Sequence, residues 1–198
     1  MVLDCIKRLL DIMCGIFSLV VLFPVFLIIA FLIKLDSKGP VFFLQKRCGR
    51  DGKEFRMCKF RTMVEAAELL KKNLNSETDG PVFKMRNDPR ITRVGRFLRS
   101  FSLDELPQLL NVLKGDMSLV GPRPLASEEM TGNDSWREMR LSVKPGLTGL
   151  WQIFGRGSGK FSDWVMYDIE YVQKKSFLLD AKILFLTVIA VLRGKGAY

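Results

Sequence analysis

Apolar positions repeat in three ways along this chain. From Leu9 to Leu35 they run almost without a gap, interrupted by Asp11, Cys14, Gly15, Ser18 and Pro24, and a run of this length can cross a hydrocarbon core of roughly 30 Å. Pro24 sits near its middle, where it removes a backbone donor and bends a helix. Lys7 and Arg8 precede the run and Lys34 and Lys38 follow it, so the positive charge that marks cytosolic flanks lies at both ends. These features predict a helix that enters the membrane, breaks near Pro24 and returns, with a straight span through a tolerated proline as the alternative. A cleaved signal peptide fits less well, because no small-residue cleavage site follows.

Alternation of period two comes next. Val41 to Lys46 and Glu54 to Phe60 read as short strands of a β-hairpin, joined by a loop containing Gly49 and Gly52. Thereafter the spacing is mostly helical. Met63, Ala66, Ala67, Leu70 and Leu74 predict a helix over 62–74, and Val94, Phe97, Leu98 and Phe101 share one face within a basic block. Leu106, Leu109, Leu110 and Leu113 form another stripe, followed by a polar helical stretch around Glu128 to Arg140 and a helix from Trp164 to Gln173. Asn75 to Gly80 reads as a polar loop, and Val143 to Trp151 as a turn before a short aromatic-bearing element. The last apolar run, Phe177 to Leu192, is too short to span a bilayer and predicts a core or interfacial helix. The whole pattern predicts an α+β, mainly helical, monotopic membrane protein with an N-terminal re-entrant helix, a small β-hairpin and interfacial amphipathic helices. It divides into a membrane helix over 1–39 and a cytosolic-face domain over 40–198.

Charge changes the picture by adding a partner class. The 198 residues carry a formal net charge of +10, which suits nucleic acid, anionic lipid headgroups or phosphorylated substrates. Arg93, Arg96 and Arg99 lie largely off the apolar face of their helix. That pattern fits a membrane-surface helix, where each cation near an anionic leaflet adds about 1 kcal/mol, and equally a surface helix packed on the core. The chain has no histidine, which removes Ser-His-Asp and Cys-His nucleophilic systems. Cys5, Cys14, Cys48 and Cys58 form no close pair, so a disulfide framework or zinc site is not expected and a reducing cytosolic face is.

Any acid, base or metal ligand must then be a carboxylate, Lys, Tyr, Cys or a backbone group. Asp104 and Glu105 are adjacent, and Ser102 with Glu105 has the spacing of a capping box. Pro107 is tolerated only in a first turn, so the helix could instead start at Asp104. In either register a helix N-terminus favours an ionised Asp104, as a cap or as a reactive group. Prolines on both sides of Arg123 restrict its backbone, which suits a guanidinium aimed at phosphate as well as a plain rigid turn. Lys59 and Arg61 end the second strand, either as solvated edge charges or as phosphate ligands. The loop from Gly155 to Lys160 is not a P-loop, because Phe154 and Phe161 stand where a glycine and a Ser or Thr are required. It reads as a connector, with a flexible active-site rim as the alternative.

Several ordered segments carry a family resemblance: KRLLDI from Lys7, KFRTM from Lys59, SLDELPQLLNVLKGDMSLVGPRP from Ser102, VKPGLTGLWQIFGR from Val143, and YDIEYV followed by SFLLDAKILFLT. The chain resembles a bacterial sugar transferase of the monotopic phosphoglycosyl transferase family, in its short form. It departs at Phe23, where some relatives carry Ser before the membrane-breaking proline. The resemblance implies transfer of a sugar-1-phosphate from a UDP-sugar to polyprenol (undecaprenyl) phosphate, with release of UMP and a covalent aspartyl-phosphosugar intermediate, as the first membrane step of glycoconjugate synthesis. It implies Asp104 as nucleophile, with Glu105 aiding metal binding or acceptor deprotonation. Lys59, Arg61, Arg99 and Arg123 would bind substrate phosphates, and Pro122 and Pro124 would shape the nucleotide site. Mg2+ would be held by Asp104, Glu105 and Asp168, since oxygen ligands are what such a site offers. The implied location is the cytoplasmic face of the bacterial inner membrane, with anionic lipids as partners, no nucleic acid, and a homodimer unsurprising. A reading of another class is a membrane-tethered basic module, whose binding would weaken with salt and survive Asp104→Ala.

Overall fold

A computed structural model describes residues 2–71, 74–77, 83, 85, 87–130, 134–155 and 160–193. Its first element, α1, runs from Val2 to Asp36 as one helix with Pro24 inside it. The break expected at Pro24 therefore does not divide the helix. One stripe of α1 packs on the rest of the chain along its length, through Asp11, Gly15, Leu19, Leu22, Phe26, Ile29 and Ile33. The opposite face is apolar and exposed, from Met13, Phe17 and Val20 to Phe31 and Leu35. Pro24 lies on that exposed side, as does Val20, whose carbonyl loses its donor to the proline ring.

Polar contacts fix both ends of α1. Near its start, Asp11 Oδ1 accepts from Ser118 Oγ at 3.1 Å and from the Leu119 amide at 3.0 Å, and Arg8 donates to the carbonyls of Val112 and Leu113 at 2.6 and 2.8 Å. At its far end, Asp36 Oδ2 accepts from the Val94 amide at 3.0 Å. The helix therefore spans one side of the folded body rather than standing away from it.

Strands β1 (Phe42–Cys48) and β2 (Glu54–Phe60) form the expected antiparallel hairpin, with Phe43 opposite Lys59 and Arg47 opposite Phe55. Buried Phe60 meets Phe26 of α1 edge-on, centroids 5.1 Å apart. Helix α2 is described over Ala67–Lys71; of the predicted 62–74, residues 72–73 lie outside the described residues and the first turn is not helical. The lost turn is extended chain, because Met63 bridges Ile91 and the Val64 amide donates to the Arg90 carbonyl.

Helix α3 (Arg93–Ser100) starts at Thr92, whose Oγ1 accepts from the Gly95 amide at 3.0 Å. Its predicted apolar face splits in two. Val94 and Leu98 pack toward α1, while Phe97 and Phe101 are exposed and touch each other with centroids 5.2 Å apart. Gly95 is required here, since a Cβ would lie 2.1 Å from the Thr62 carbonyl oxygen.

The predicted capping box does not form. Ser102 adopts a left-handed conformation, φ 56°, and its side chain makes no cap bond; Leu103–Gln108 is a tight 3-10 turn with Pro107 inside. Helix α4 (Leu109–Lys114) follows and stops at Gly115, φ 95°. Strands β3 (Ser118–Val120) and β4 (Gly146–Thr148) pair in parallel. Neither was foreseen, because so short a strand has too few positions to show an alternation. Between them lie a 3-10 turn (Ser127–Glu129) and α5 (Asp134–Leu141). After the turn Trp151–Gly155, helices α6 (Phe161–Lys174) and α7 (Phe177–Arg193) occupy the predicted positions. Residues 156–159 of the connector, 78–80 of the polar loop, and Lys84 and Arg86 of the basic block lie outside the described residues. Three apolar clusters hold the body together, centred on Val112 and Met117, on Trp136 and Leu125, and on Phe60 and Leu98.

Candidate active site

The 3-10 turn after α3 carries Asp104 and Glu105, and both are buried, at 7% and 8% exposure. Alternation along β2 sends Lys59 toward them. Its Nζ donates to Glu105 Oε1 at 2.9 Å, and Arg123 Nη1 donates to the same oxygen at 2.9 Å. Glu105 is therefore clamped by two cations. Asp104, by contrast, has no hydrogen bond or ion pair with any described residue. From α3, Arg99 enters the same space, its Nε donating to Thr62 Oγ1 at 2.9 Å.

Electrostatics departs from the expectation of a helix-stabilised, readily ionised Asp104. Burial pushes its pKa up and the Glu105 charge adds to the rise, while Lys59, Arg99 and Arg123 oppose it. Lys59 is pushed down, chiefly by burial, with Glu105 acting to keep it charged. The site is thus a compact set of opposed charges withdrawn from water, in which each ionisation depends on its neighbours.

Lys59, Arg61, Arg99, Asp104, Glu105 and Arg123 all line one cleft of about 450 Å³. Arg61 faces it from the far side, with Nη2 donating to the carbonyl and hydroxyl of Ser37 at 2.7 and 3.0 Å. It thus ties the cleft to the segment that follows α1, and is not a solvated edge charge. Pro122 and Pro124 are buried and flank Arg123 without lining the cleft themselves. Pro24 is remote, on α1.

Asp168 is not with the other carboxylates. It is buried on α6, where Oδ2 lies 3.2 Å from Arg140 Nη1 and accepts from Trp136 Nε1 at 3.3 Å. Burial raises its pKa to about 6, against the opposing Arg140 charge. The ligand set Asp104, Glu105 and Asp168 is therefore not assembled, and no cluster of three or more metal-ligating side chains occurs among the described residues. The adjacent pair Asp104 and Glu105 still fits Mg2+, which takes one or two carboxylates and completes its shell with substrate phosphates and water.

Residues missed from the sequence complete the cleft. Phe43, Gln45 and Arg47 alternate along β1 and all line it, a signal that the period-two pattern carried. Gln45 Oε1 accepts from Arg47 Nη2 at 2.9 Å, and Glu129 pairs with Arg47 Nη1. Arg90, from the basic stretch before α3, forms a bidentate pair with Asp88 at 2.9 and 2.6 Å. Trp151 and Trp164 stack at 3.9 Å along another wall.

Backbone contacts at glycine hold this arrangement. A Cβ on Gly146 would lie 2.0 Å from the Gly121 amide nitrogen, and one on Gly149 would lie 2.3 Å from the Gly121 carbonyl oxygen. Only hydrogen allows β3 and β4 to approach so closely where the chain turns into Pro122.

A model of the bacterial sugar transferase family matches residues 2–194. The exopolysaccharide production protein ExoY of Sinorhizobium fredii is 43% identical over 97% of this chain and 88% of its own length. The undecaprenyl-phosphate galactose phosphotransferase of Salmonella typhimurium is 45% identical over 98% of this chain, but over only 42% of its own. A UDP-glucose:undecaprenyl-phosphate glucose-1-phosphate transferase of Klebsiella pneumoniae is 43% identical over 97% of this chain and 41% of its own length. The chain thus spans most of the ExoY relative and about two-fifths of the longer ones. It belongs to the bacterial sugar transferase family, a family of enzymes.

Proposed function

We propose that this chain transfers a sugar-1-phosphate from a UDP-sugar to undecaprenyl phosphate in exopolysaccharide or related glycoconjugate synthesis. One observation carries the mechanism: Asp104 is buried with no side-chain hydrogen bond or ion pair to any described residue, beside a Glu105 held by Lys59 and Arg123, in a cleft lined by Lys59, Arg99 and Arg123. A carboxylate oxygen of Asp104 attacks the phosphorus that bears the sugar. The bond from that phosphorus to the bridging oxygen breaks, and UMP leaves with the electron pair. A phosphate oxygen of the polyprenol phosphate then attacks the same phosphorus, breaks the aspartyl bond and regenerates Asp104.

Lys59, Arg99 and Arg123 balance the diphosphate charge that would otherwise repel the nucleophile. Glu105 fixes Lys59 and Arg123 through one oxygen. Asp104 and Glu105 would hold Mg2+, which supplies charge neutralisation on the phosphates when bound.

The relatives' names support both substrate classes. A one-sided topology is supported by α1, whose two ends both dock on the same folded body while its outer face is apolar. A helix held this way keeps both flanks on one side of the membrane, and the location consistent with Lys7, Arg8, Lys34 and Lys38 is the cytoplasmic face of the inner membrane. The cleft then sits at the level of the lipid phosphate.

Purified protein with Mg2+, undecaprenyl phosphate and a panel of UDP-sugars should release UMP with one preferred sugar. Without acceptor, a sugar-phosphate mass adduct should appear on Asp104, and Asp104→Asn should show neither. Normal turnover by Asp104→Asn would overturn the assignment.

A further inference from the structure

The turn that presents Arg123 lacks local amide donors, since residues 122 and 124 are both proline. Its carbonyls are anchored from other elements. Pro122 accepts from the Gly146 amide and Leu125 from the Cys48 amide, each at 2.8 Å. The Arg123 carbonyl instead accepts from a side chain, Nη2 of Arg140 on α5. Arg140 is 5% exposed, so its charge needs a buried counter-ion, and Asp168 on α6 supplies it at 3.2 Å. Trp136, one turn before Arg140, stacks under the guanidinium at 5.0 Å and donates to the same carboxylate.

We propose that Arg140 is a positioning residue for Arg123, and that Asp168 acts through it. The connection runs from Asp168 to Arg140, to the Arg123 carbonyl, and through the Arg123 side chain to Glu105 beside the nucleophile. It assigns Asp168 an orienting role in place of metal ligation. A displaced Arg123 would lose its common reach to Glu105 and to substrate phosphate, and small misplacements of such groups cost much more rate than stability. The activity arm of the test rests on the phosphoglycosyl-transfer reading; the exchange arm does not.

Replacing Arg140 alone would leave a buried charge unpaired and endanger folding. The informative variant is Arg140→Met with Asp168→Leu, which removes the pair together and is tolerated far better in protein interiors. Its UMP release should fall by roughly 10- to 100-fold while the protein remains folded. In an Arg123→Ala background the same double replacement should cost nothing further, because the effect passes through Arg123. Hydrogen exchange at the amides that hold this turn, Gly146 and Cys48 on the Pro122 and Leu125 carbonyls and Ala126 on Glu129, should quicken, with the rest of the β1–β2 hairpin unchanged. An equal loss of activity in both backgrounds, or unchanged exchange at these amides, would overturn the proposal. If the wild-type chain releases no UMP from any UDP-sugar, the transfer reading fails and the exchange result alone decides.

Discussion

Lys59 Nζ lies 2.9 Å from Glu105 Oε1, and both side chains are largely buried. Burial drives the Lys59 pKa down and Glu105 holds it up. Glu105→Gln removes the restraining charge, so Lys59 should lose its proton at lower pH than in the wild type. The alkaline limb of the pH profile of UMP release should therefore shift toward neutrality, beyond any loss of maximal rate. Rate measurements from pH 6 to 10 on both proteins would show it; coincident alkaline limbs would count against a charged Lys59 in the mechanism.

Asp104 is held in a setting that disfavours its own charge. A carboxyl with a raised folded pKa contributes stability at low pH that is lost as pH rises through that value. At neutral pH, Asp104→Asn should therefore leave the fold as stable as the wild type or more so, while UMP release disappears. Thermal unfolding at pH 7 tests this, and a large fall in midpoint would show that Asp104 serves structure instead.

Asp168 gives a second pH signature, in stability. Its folded pKa of about 6 exceeds the ordinary 3.8, so its contribution is complete below pH 4 and fades as pH rises through 6. The difference is worth roughly 3 kcal/mol. Urea unfolding of the wild type, referenced to Asp168→Asn, should show that loss between pH 4 and pH 6. A constant difference across the window would contradict the burial of the carboxylate.

Anchoring of α1 is testable at each end. Asp36→Ala removes a cap on the first turn of α3 and should cost about 1 kcal/mol. Asp11→Ala strands the buried Ser118 hydroxyl and Leu119 amide and should cost more, about 1–3 kcal/mol. Denaturant unfolding in detergent would rank them, and equal, negligible costs would mean that α1 is not held by these contacts.

Long periodic elements were legible in the sequence. The hairpin, α6 and α7 stand where alternation or helical spacing put them, because each buries a continuous face. The site was legible as a set of residues but not as an arrangement. Lys59, Arg99 and Arg123 come from separate elements, and only tertiary packing brings two of them to one oxygen of Glu105. Ser102 shows the opposite failure, where a local motif was present and lost. Its backbone is left-handed, and its side chain makes no cap bond to the turn that follows. Asp168 read as chemistry because it is a carboxylate in a motif, whereas its burial against Arg140 depends on a crossing of α5 and α6 that no spacing reveals.

The inward stripe of α1 has a practical consequence for making a water-soluble form of this enzyme. Deleting residues 1–39 would strip Ile29 and Ile33 from Phe60 and Leu98 and uncover the core behind the cleft. The alternative is to keep the helix and redraw its outer surface. Phe17, Val20, Phe31 and Leu35, each well over half exposed, are the positions where polar replacements would spare the scaffold.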